Sequence, residues 1–450
     1  MKKKLLFIIS VLAMSTALMA EDHVMAATKS QGQRQRQTTE TLSLSLEEAQ
    51  DYAVQQNRSL RNASLAVQEA YAQRWQTIAA MLPQLDGSIG KTIMYDEDFK
   101  EKMISFGSPT PMSMSPWAFG VTASVGINGQ AIVGALLNTI AIEMQKLSLE
   151  QSEDALRANV KTSYASVLVL QDIVTLMNSS LENLERLAEM TQRSVDVGAA
   201  EQTAADQIIV RVNTIRDNIN SQKRNVELSL ASLKVLLDVP VTTELELTTQ
   251  LDELLSAEAV LQLLGENYNK ENNLNYQLLK KNVAIAEKNV HMAGWSYGPT
   301  VSLAYQYSYR DYGDSEGFSM MNSPHTVAFN VSMPLWSSGK RAASVVEKKI
   351  ALESARNTLA ETTDNLDIQY QQLRYSLQNA YESYLTQKAN LDVTRRVFES
   401  TTNKYNYGSS SNLELVNASN DVISAQSSYV QAVLTLVQAN VELDKFLNNN

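Results

Sequence analysis

The sequence predicts a mixed α+β membrane protein in which one unit, helix–strand–strand–long helical hairpin, is used twice. Three observations carry this. Two very long helical runs are each broken by a single glycine, four short segments alternate apolar and small residues, and the second half of the chain repeats the order of the first.

The chain has 450 residues and begins Met1-Lys2-Lys3-Lys4, followed by an apolar stretch from Leu5 to Val11 and small residues to Ala20. A basic start, a short apolar core and a small-residue exit predict a signal peptide over residues 1–20, with Ala27 as the competing cleavage point. Residues 21–41 are polar and Gln-rich, a composition that does not fold alone. No later run holds enough consecutive apolar residues for a helical membrane span, so insertion into a bilayer falls to strands.

The first unit, residues 42–240, opens with an amphipathic pattern from Leu44 to Met81. Ser45 and Glu48 predict a capping box at its start, and Pro83 stops it. Strands follow at about 84–96 and 117–128. In the second, Trp117, Phe119, Val121, Ala123, Val125 and Ile127 alternate with small or polar residues, the period-two signature of a strand with two unlike faces. A long helix is expected from about Gly134 to Val197. Val160, Val167, Val174, Leu181, Ala188 and Val195 repeat every seven residues, with Leu170, Met177 and Leu184 completing a seam. Gly198 breaks the run, and Val212, Ile219, Val226 and Leu233 continue the spacing on a returning helix that stops near Pro240.

The second unit, residues 241–450, repeats the order. Leu251 to Met292 reads as a helix, and Gly298-Pro299 ends it. Strands are expected at about 299–310 and 325–335. After Pro334-Leu335-Trp336-Ser337-Ser338-Gly339 comes a polar run to Tyr407 that lacks Pro and Gly. A helix of that length would span about 100 Å. Tyr370, Leu377, Tyr384, Leu391, Phe398 and Tyr405 fall on one heptad stripe, so helix-on-helix packing rather than lipid accounts for it. Gly408 fits a helix C′ position, and Asn412 or a neighbouring serine can cap the return to Leu447.

Composition excludes several classes. There is no cysteine, hence no disulfide framework and no acylated N-terminal cysteine, and three histidines leave little for a His-based metal or catalytic site. A net charge of −11 argues against a nucleic-acid partner. No nucleophile elbow, phosphate loop or metal spacing is present, so no enzyme, cofactor or metal is expected.

Strands of about ten residues are long enough to cross an outer-membrane-type bilayer with apolar faces on lipid. Aromatics such as Trp117, Tyr305, Tyr309 and Trp336 sit near strand ends, where an interface girdle would lie. Four strands cannot close a barrel, and open edges are not tolerated in lipid. Two copies would supply eight strands and three would supply twelve.

Over about Leu42 to Leu447 the chain resembles the TolC family of outer-membrane efflux and secretion channels. The duplicated element order, the strand exit Met333-Pro334-Leu335-Trp336-Ser337-Ser338-Gly339, and the helix tip Tyr405-Asn406-Tyr407-Gly408 carry the resemblance. It implies a homotrimer whose twelve-stranded β-barrel, four strands per chain, continues into a long α-helical barrel of coiled-coil hairpins. It implies an outer-membrane location in a Gram-negative-type cell, with the helical part in the periplasm. A periplasmic adaptor and, through it, an inner-membrane transporter are the implied partners.

The resemblance also implies sites. Glu414, six residues after Gly408, matches a carboxylate that rings the closed end of the tunnel, and Asn417 stands where a second carboxylate is common. Tyr405 matches a tip tyrosine that holds the gate by hydrogen bonding, and it also continues the heptad stripe. In the first unit Ala204 replaces a common aspartate, which shifts any lock to Asp206. The exposed turns around Gly198, Ala199 and Glu201, and around Gly408, Ser409 and Ser410, are the expected adaptor-docking tips. Pro334, Leu335, Trp336 and Gly339 form the strand exit. The competing reading is a soluble periplasmic coiled-coil scaffold, in which the alternating segments would be buried rather than lipid-facing.

Overall fold

A computed structural model describes residues 41–91, 117–198, 200–254, 256–311 and 325–447. The expected signal peptide, most of the polar segment after it, residues 92–96 of the first strand and Ala199 lie outside the described residues. Contacts divide the chain into two units, residues 1–43 with 242–246, and residues 44–241 with 247–450. In the smaller unit, Leu42 N–H donates to the Glu244 carbonyl at 2.9 Å and Ser43 Oγ donates to Glu246 at 3.0 Å. They belong to a two-stranded ladder of β1 (Leu42–Leu44) and β4 (Leu245–Leu247), short strands that carry no alternation long enough to read from sequence.

The larger unit opens with α1 (Leu46–Gln56) and α2 (Arg58–Ala79), where the sequence predicts one helix. Asn57 makes the break. Its side chain accepts from the N–H groups of Ser59 and Leu60 and donates to the Leu236 carbonyl at 2.9 Å, so it caps the next helix instead of extending the last. Ser45 and Glu48 form the expected capping box. The single helix expected from Leu251 to Met292 is also broken, into α5 (Leu251–Leu254), α6 (Ala257–Gly265) and α7 (Leu274–Gly294). Ser256 caps α6 and Asn273 caps α7, again with side-chain oxygens on free backbone N–H groups.

Between these helices run β2 (Gln84–Lys91), β3 (Trp117–Asn128), β5 (Thr300–Asp311) and β6 (His325–Ser332), in sheet order β2-β3-β5-β6. All neighbours are antiparallel, and the register aligns the apolar parity across the sheet. Ile89 faces Phe119 and Phe119 faces Tyr309; Val125 faces Leu303 and Leu303 faces Phe329. Ser88, Gly120 and Ser308 share the other parity. The last strand stops at Ser332, short of the expected 335, because Pro334 has no N–H to continue a ladder.

Two hairpins complete the unit. α3 (Gly129–Asp196, 68 residues) returns as α4 (Gln202–Leu236), and α8 (Lys340–Asn406, 67 residues) returns as α9 (Asn412–Leu447). α3 starts at Gly129, earlier than Gly134, since Asn128 caps it by accepting from Ala131 N–H at 2.7 Å. Gly129 lies beneath Trp295, and a Cβ there would fall 2.1 Å from the indole. Only glycine lets the helix pass under that ring as it leaves the sheet. One 18-residue stretch of α3 has a mean hydropathy of 1.2, long and apolar enough to cross a membrane by that measure. A search for unbroken apolar runs misses it because polar residues interrupt it. Only 11% of that stretch is buried.

The core runs along the hairpin seams. Leu377, Tyr384, Leu391 and Phe398 are buried, while Tyr370 and Tyr405 pack half-buried against them. In α3 the buried row begins at Val160 and Val167, then passes to Met177, Leu184 and Thr191. Val174, Leu181 and Ala188 are only partly covered. A helix of 3.6 residues per turn drifts by about 20° per heptad, which carries the seam from one row to the next. Tyr164 bonds within the larger unit: its hydroxyl donates to the Leu44 carbonyl at 2.9 Å and accepts from Thr249 N–H at 3.1 Å. Leu377→Ala is expected to cost about 2–5 kcal/mol, read as a lower denaturant midpoint, while Ile368→Ala on the solvated side of α8 leaves it unchanged.

Candidate functional site

The hairpin tips begin as two similar helix endings. Gly198 and Gly408 hold φ of 73° and 72°, a left-handed turn that costs other residues steric strain. At the second tip Ser409 N–H reaches the Lys404 carbonyl at 2.8 Å and Gly408 N–H reaches Tyr405 at 2.9 Å, the paired bonds of a Schellman ending. At the first, Gly198 N–H bonds to the Val195 carbonyl and Ala200 N–H reaches Ser194 at 3.2 Å.

The return helices differ. Glu201 stands at the N-cap of α4 without a side-chain cap. Gln202 instead donates to Asp206 at 2.9 Å one turn on, so the exposed Asp206 is paired within its own helix. At the second tip Ser411 Oγ accepts from Glu414 N–H at 3.2 Å, and the Glu414 carboxylate accepts from Ser411 N–H at 3.0 Å. That is a reciprocal capping box. Ser410 Oγ adds a third bond to the same carboxylate. Together these bonds, the Ser410 hydroxyl first and the Ser411 N–H second, hold the Glu414 pKa below the ordinary glutamate value. Asn417, one turn further, is exposed.

The sign of the pH effect follows from that direction. A carboxyl with a lowered folded pKa supports the tip fully above its ordinary value of 4.5 and ceases to do so as pH falls through the lower, folded value. The protection factor of the amides over residues 411–415, the intrinsic exchange rate at each pH divided by the observed one, is therefore expected to be constant above about pH 5 and to fall under more acidic conditions. A protection factor that does not change with acidification would show that the carboxylate does not hold the cap.

Tyr405 both packs and bonds. Its ring packs against the seam, and its hydroxyl accepts from Thr191 Oγ at 3.4 Å. Thr191, on α3 and 2% exposed, is a residue that sequence reasoning passed over. This bond links one hairpin to the other just above the tips. Deeper in the same contact, Gln426 of α9 donates to Ser180 of α3 at 3.4 Å.

At the opposite end of the long helices lies the strand exit. Ser338 and Gly339 both take positive φ, 48° and 82°, and turn the chain from β6 into α8. Arg341 donates to the Pro334 carbonyl at 2.9 Å and lies over the Tyr297 ring at 5.6 Å. Leu335 and Trp336 are left 89% and 85% exposed, a strongly apolar pair that the described residues leave open. Trp295, 50% exposed, is marked by its contact with Gly129, which joins distant segments and is not visible in the sequence. Among the described residues no group of three or more acidic or histidine side chains is placed to hold a metal ion.

Comparison with known proteins adds the family. Residues 49–238 and 269–449 match the outer membrane efflux protein family. The toxin and drug export protein A of Aggregatibacter actinomycetemcomitans is 21% identical over 307 residues, 65% of this chain and 63% of that protein. The probable efflux pump outer membrane protein TtgC of Pseudomonas putida is 23% identical over 308 residues, 67% of this chain and 63% of that protein. The match thus spans under two thirds of either relative. The crystal structure of CusC, described in terms of transmembrane channel formation, superposes with a TM-score of 0.73 at 17% identity, covering 92% of this chain and 95% of that one. The outer membrane protein VceC of Vibrio cholerae gives 0.70 at 14% identity, with 90% and 96% covered.

Proposed function

From the premise that this chain belongs to the outer membrane efflux protein family, we propose that it is the exit duct of a tripartite efflux or type I secretion system. Membership of a channel family, not an enzyme family, agrees with a sequence in which no catalytic motif is found. The outer membrane is its site, with the helical hairpins in the periplasm.

One observation carries the channel reading: a sheet whose four strands present a single exposed apolar face while both of its edges lack a partner strand among the described residues. Val327, Phe329 and Val331 on β6 are each more than half exposed, as is Ile89 on β2. In lipid such edges must close on other copies. Three copies closing β6 of one onto β2 of the next make a twelve-stranded barrel. Thr300 to Tyr309 covers roughly 31 Å along the strand, and a tilt of about 40° brings that to about 23 Å, close to the height of an outer-membrane apolar band. Trp295, Tyr297 and Trp336 then lie at one boundary and Trp117 and Tyr309 at the other, as two girdles.

The same trimer, built from two structural repeats per chain, gathers six hairpin tips at the far end. Glu414 and Asn417 then face the axis, Tyr405 and Asp206 brace the tip helices, and Gly198, Ala199, Glu201, Gly408, Ser409 and Ser410 form the docking surface for a periplasmic adaptor bound to an inner-membrane transporter. The duct itself is passive. Purified protein added to a planar lipid bilayer is expected to give discrete ion-conducting steps. Protein that inserts without conducting would contradict the reading.

A further inference from the structure

Midway along α3, far in sequence from both tip and sheet, Asp154 is 8% exposed. No hydrogen bond or ion pair joins its carboxylate to another described residue. Arg157, the nearest cation on its own helix, is held by Asp51 at 2.9 Å and Glu153 at 3.2 Å. Burial foremost, then Glu150 and Glu153, raises the Asp154 pKa, and Lys445 and Arg157 oppose this from a distance. A buried carboxylate without a counter-ion is costly, and such groups are normally paired.

The carboxylate opens into a cavity of about 290 Å³ walled by α3, α7, α8 and α9 of this one chain. That is near the lower end of the range for small-ligand pockets. Its far side brings Glu442 and Lys445 from α9 and Gln369 from α8, with Leu373 and Phe446 as an apolar wall. Asn273, also lining the cavity, is spent on structure: it caps α7 and donates to the Phe446 carbonyl at 3.3 Å. The remaining polar lining is thus rich in acceptors, with one unpaired carboxylate and an apolar surface beside it.

We propose that this cavity binds a primary alkylammonium group, with Asp154 as its counter-ion and the Leu373–Phe446 wall around its alkyl chain. The chemistry favours an organic cation over a metal. Two carboxylates and a lysine do not make the multi-oxygen shell that a hard divalent ion requires, whereas a desolvated carboxylate beside a hydrocarbon wall matches an ammonium with a short carbon tail. Lys445, exposed and without an ion pair among the described residues, is the internal competitor that the ligand displaces. Since the walls come from both hairpins, a bound amine would clamp them together where α9 ends.

The test uses the full-length protein in detergent, with n-butylammonium chloride as the probe and sodium chloride at matched ionic strength and n-butanol as controls. A saturable rise in thermal midpoint is expected with the amine alone, because a ligand of the folded state stabilises it by mass action. Asp154→Asn should weaken the apparent affinity at least about tenfold. This variant is itself expected to fold well, as it removes a buried charge. Lys445→Met should tighten binding severalfold. Affinity in the wild type should fall on acidification, as Asp154, held above the ordinary aspartate range by burial and by Glu150 and Glu153 against Lys445 and Arg157, takes up a proton, and this fall should vanish in Asp154→Asn. An amine response equal to that of sodium chloride, or one unaltered by Asp154→Asn and Lys445→Met, would overturn the proposal.

Discussion

Val121→Lys is expected to abolish membrane assembly, while Thr122→Lys, one residue along the same strand, should leave the assembled protein in place. Val121 lies on the apolar parity of β3, opposite Gly87 and Tyr307, and Thr122 lies on the small and polar parity, opposite Asp86 and Gln306. A lysine on the lipid face near mid-depth costs about 2–4 kcal/mol in outer-membrane barrels, whereas one on the lumen face is solvated. A trimer carries the substitution three times over, so the total is about three times larger, several powers of ten in the assembly equilibrium. Phe329→Lys on β6 should behave as Val121→Lys does. The readout is the yield of oligomer in the washed membrane fraction. Equal yields for Val121→Lys and Thr122→Lys would mean that the two faces are not lipid and lumen.

Glu414→Gln is expected to reduce the preference for cations in single-channel recordings and to loosen the tip less than Glu414→Ala does. The separation rests on the capping box. Glutamine at this position still bonds back to Ser411 N–H, so it removes the charge and keeps the cap, while alanine removes both. Three Glu414 carboxylates at a constriction would attract cations and repel anions, and Asn417 adds no charge to that ring. Glu414→Gln should bring the cation-to-anion permeability ratio toward unity, by about several-fold. Glu414→Ala should add higher conductance and faster amide exchange over residues 411–415. Identical recordings from the wild type and Glu414→Gln would remove this residue from the conduction path and leave it a cap alone.

How far these features could be read from the sequence depended on the range of the interaction that sets them. The strand from Trp117 to Asn128 was legible to the residue because period two is local, while the helix start that Asn128 caps was placed too late. The Gly198 and Gly408 turns were legible because positive φ selects glycine. The splitting of the first helix at Asn57 was not. Its amphipathic pattern runs unbroken, and the break is set partly by the Leu236 carbonyl, a distant acceptor. The breaks near Ser256 and Asn273 were masked in the same way by an apolar periodicity that outweighed turn chemistry. At the candidate site, Ser411 and Glu414 carry the same spacing as Ser45 and Glu48, so the second capping box is written in the sequence, at a residue that also reads as a tip charge. Thr191 beside Tyr405, Gly129 beneath Trp295 and the isolation of Asp154 arise from contacts between distant segments. No periodicity in one sequence encodes them.

The most direct measurement is the protein mass of the detergent-extracted particle, by light scattering with the detergent contribution subtracted. A value of three chain masses is expected, as the closed twelve-stranded barrel requires. A monomer that leaves the membrane fraction without detergent would contradict it, and would favour a soluble periplasmic scaffold whose sheet faces something other than lipid.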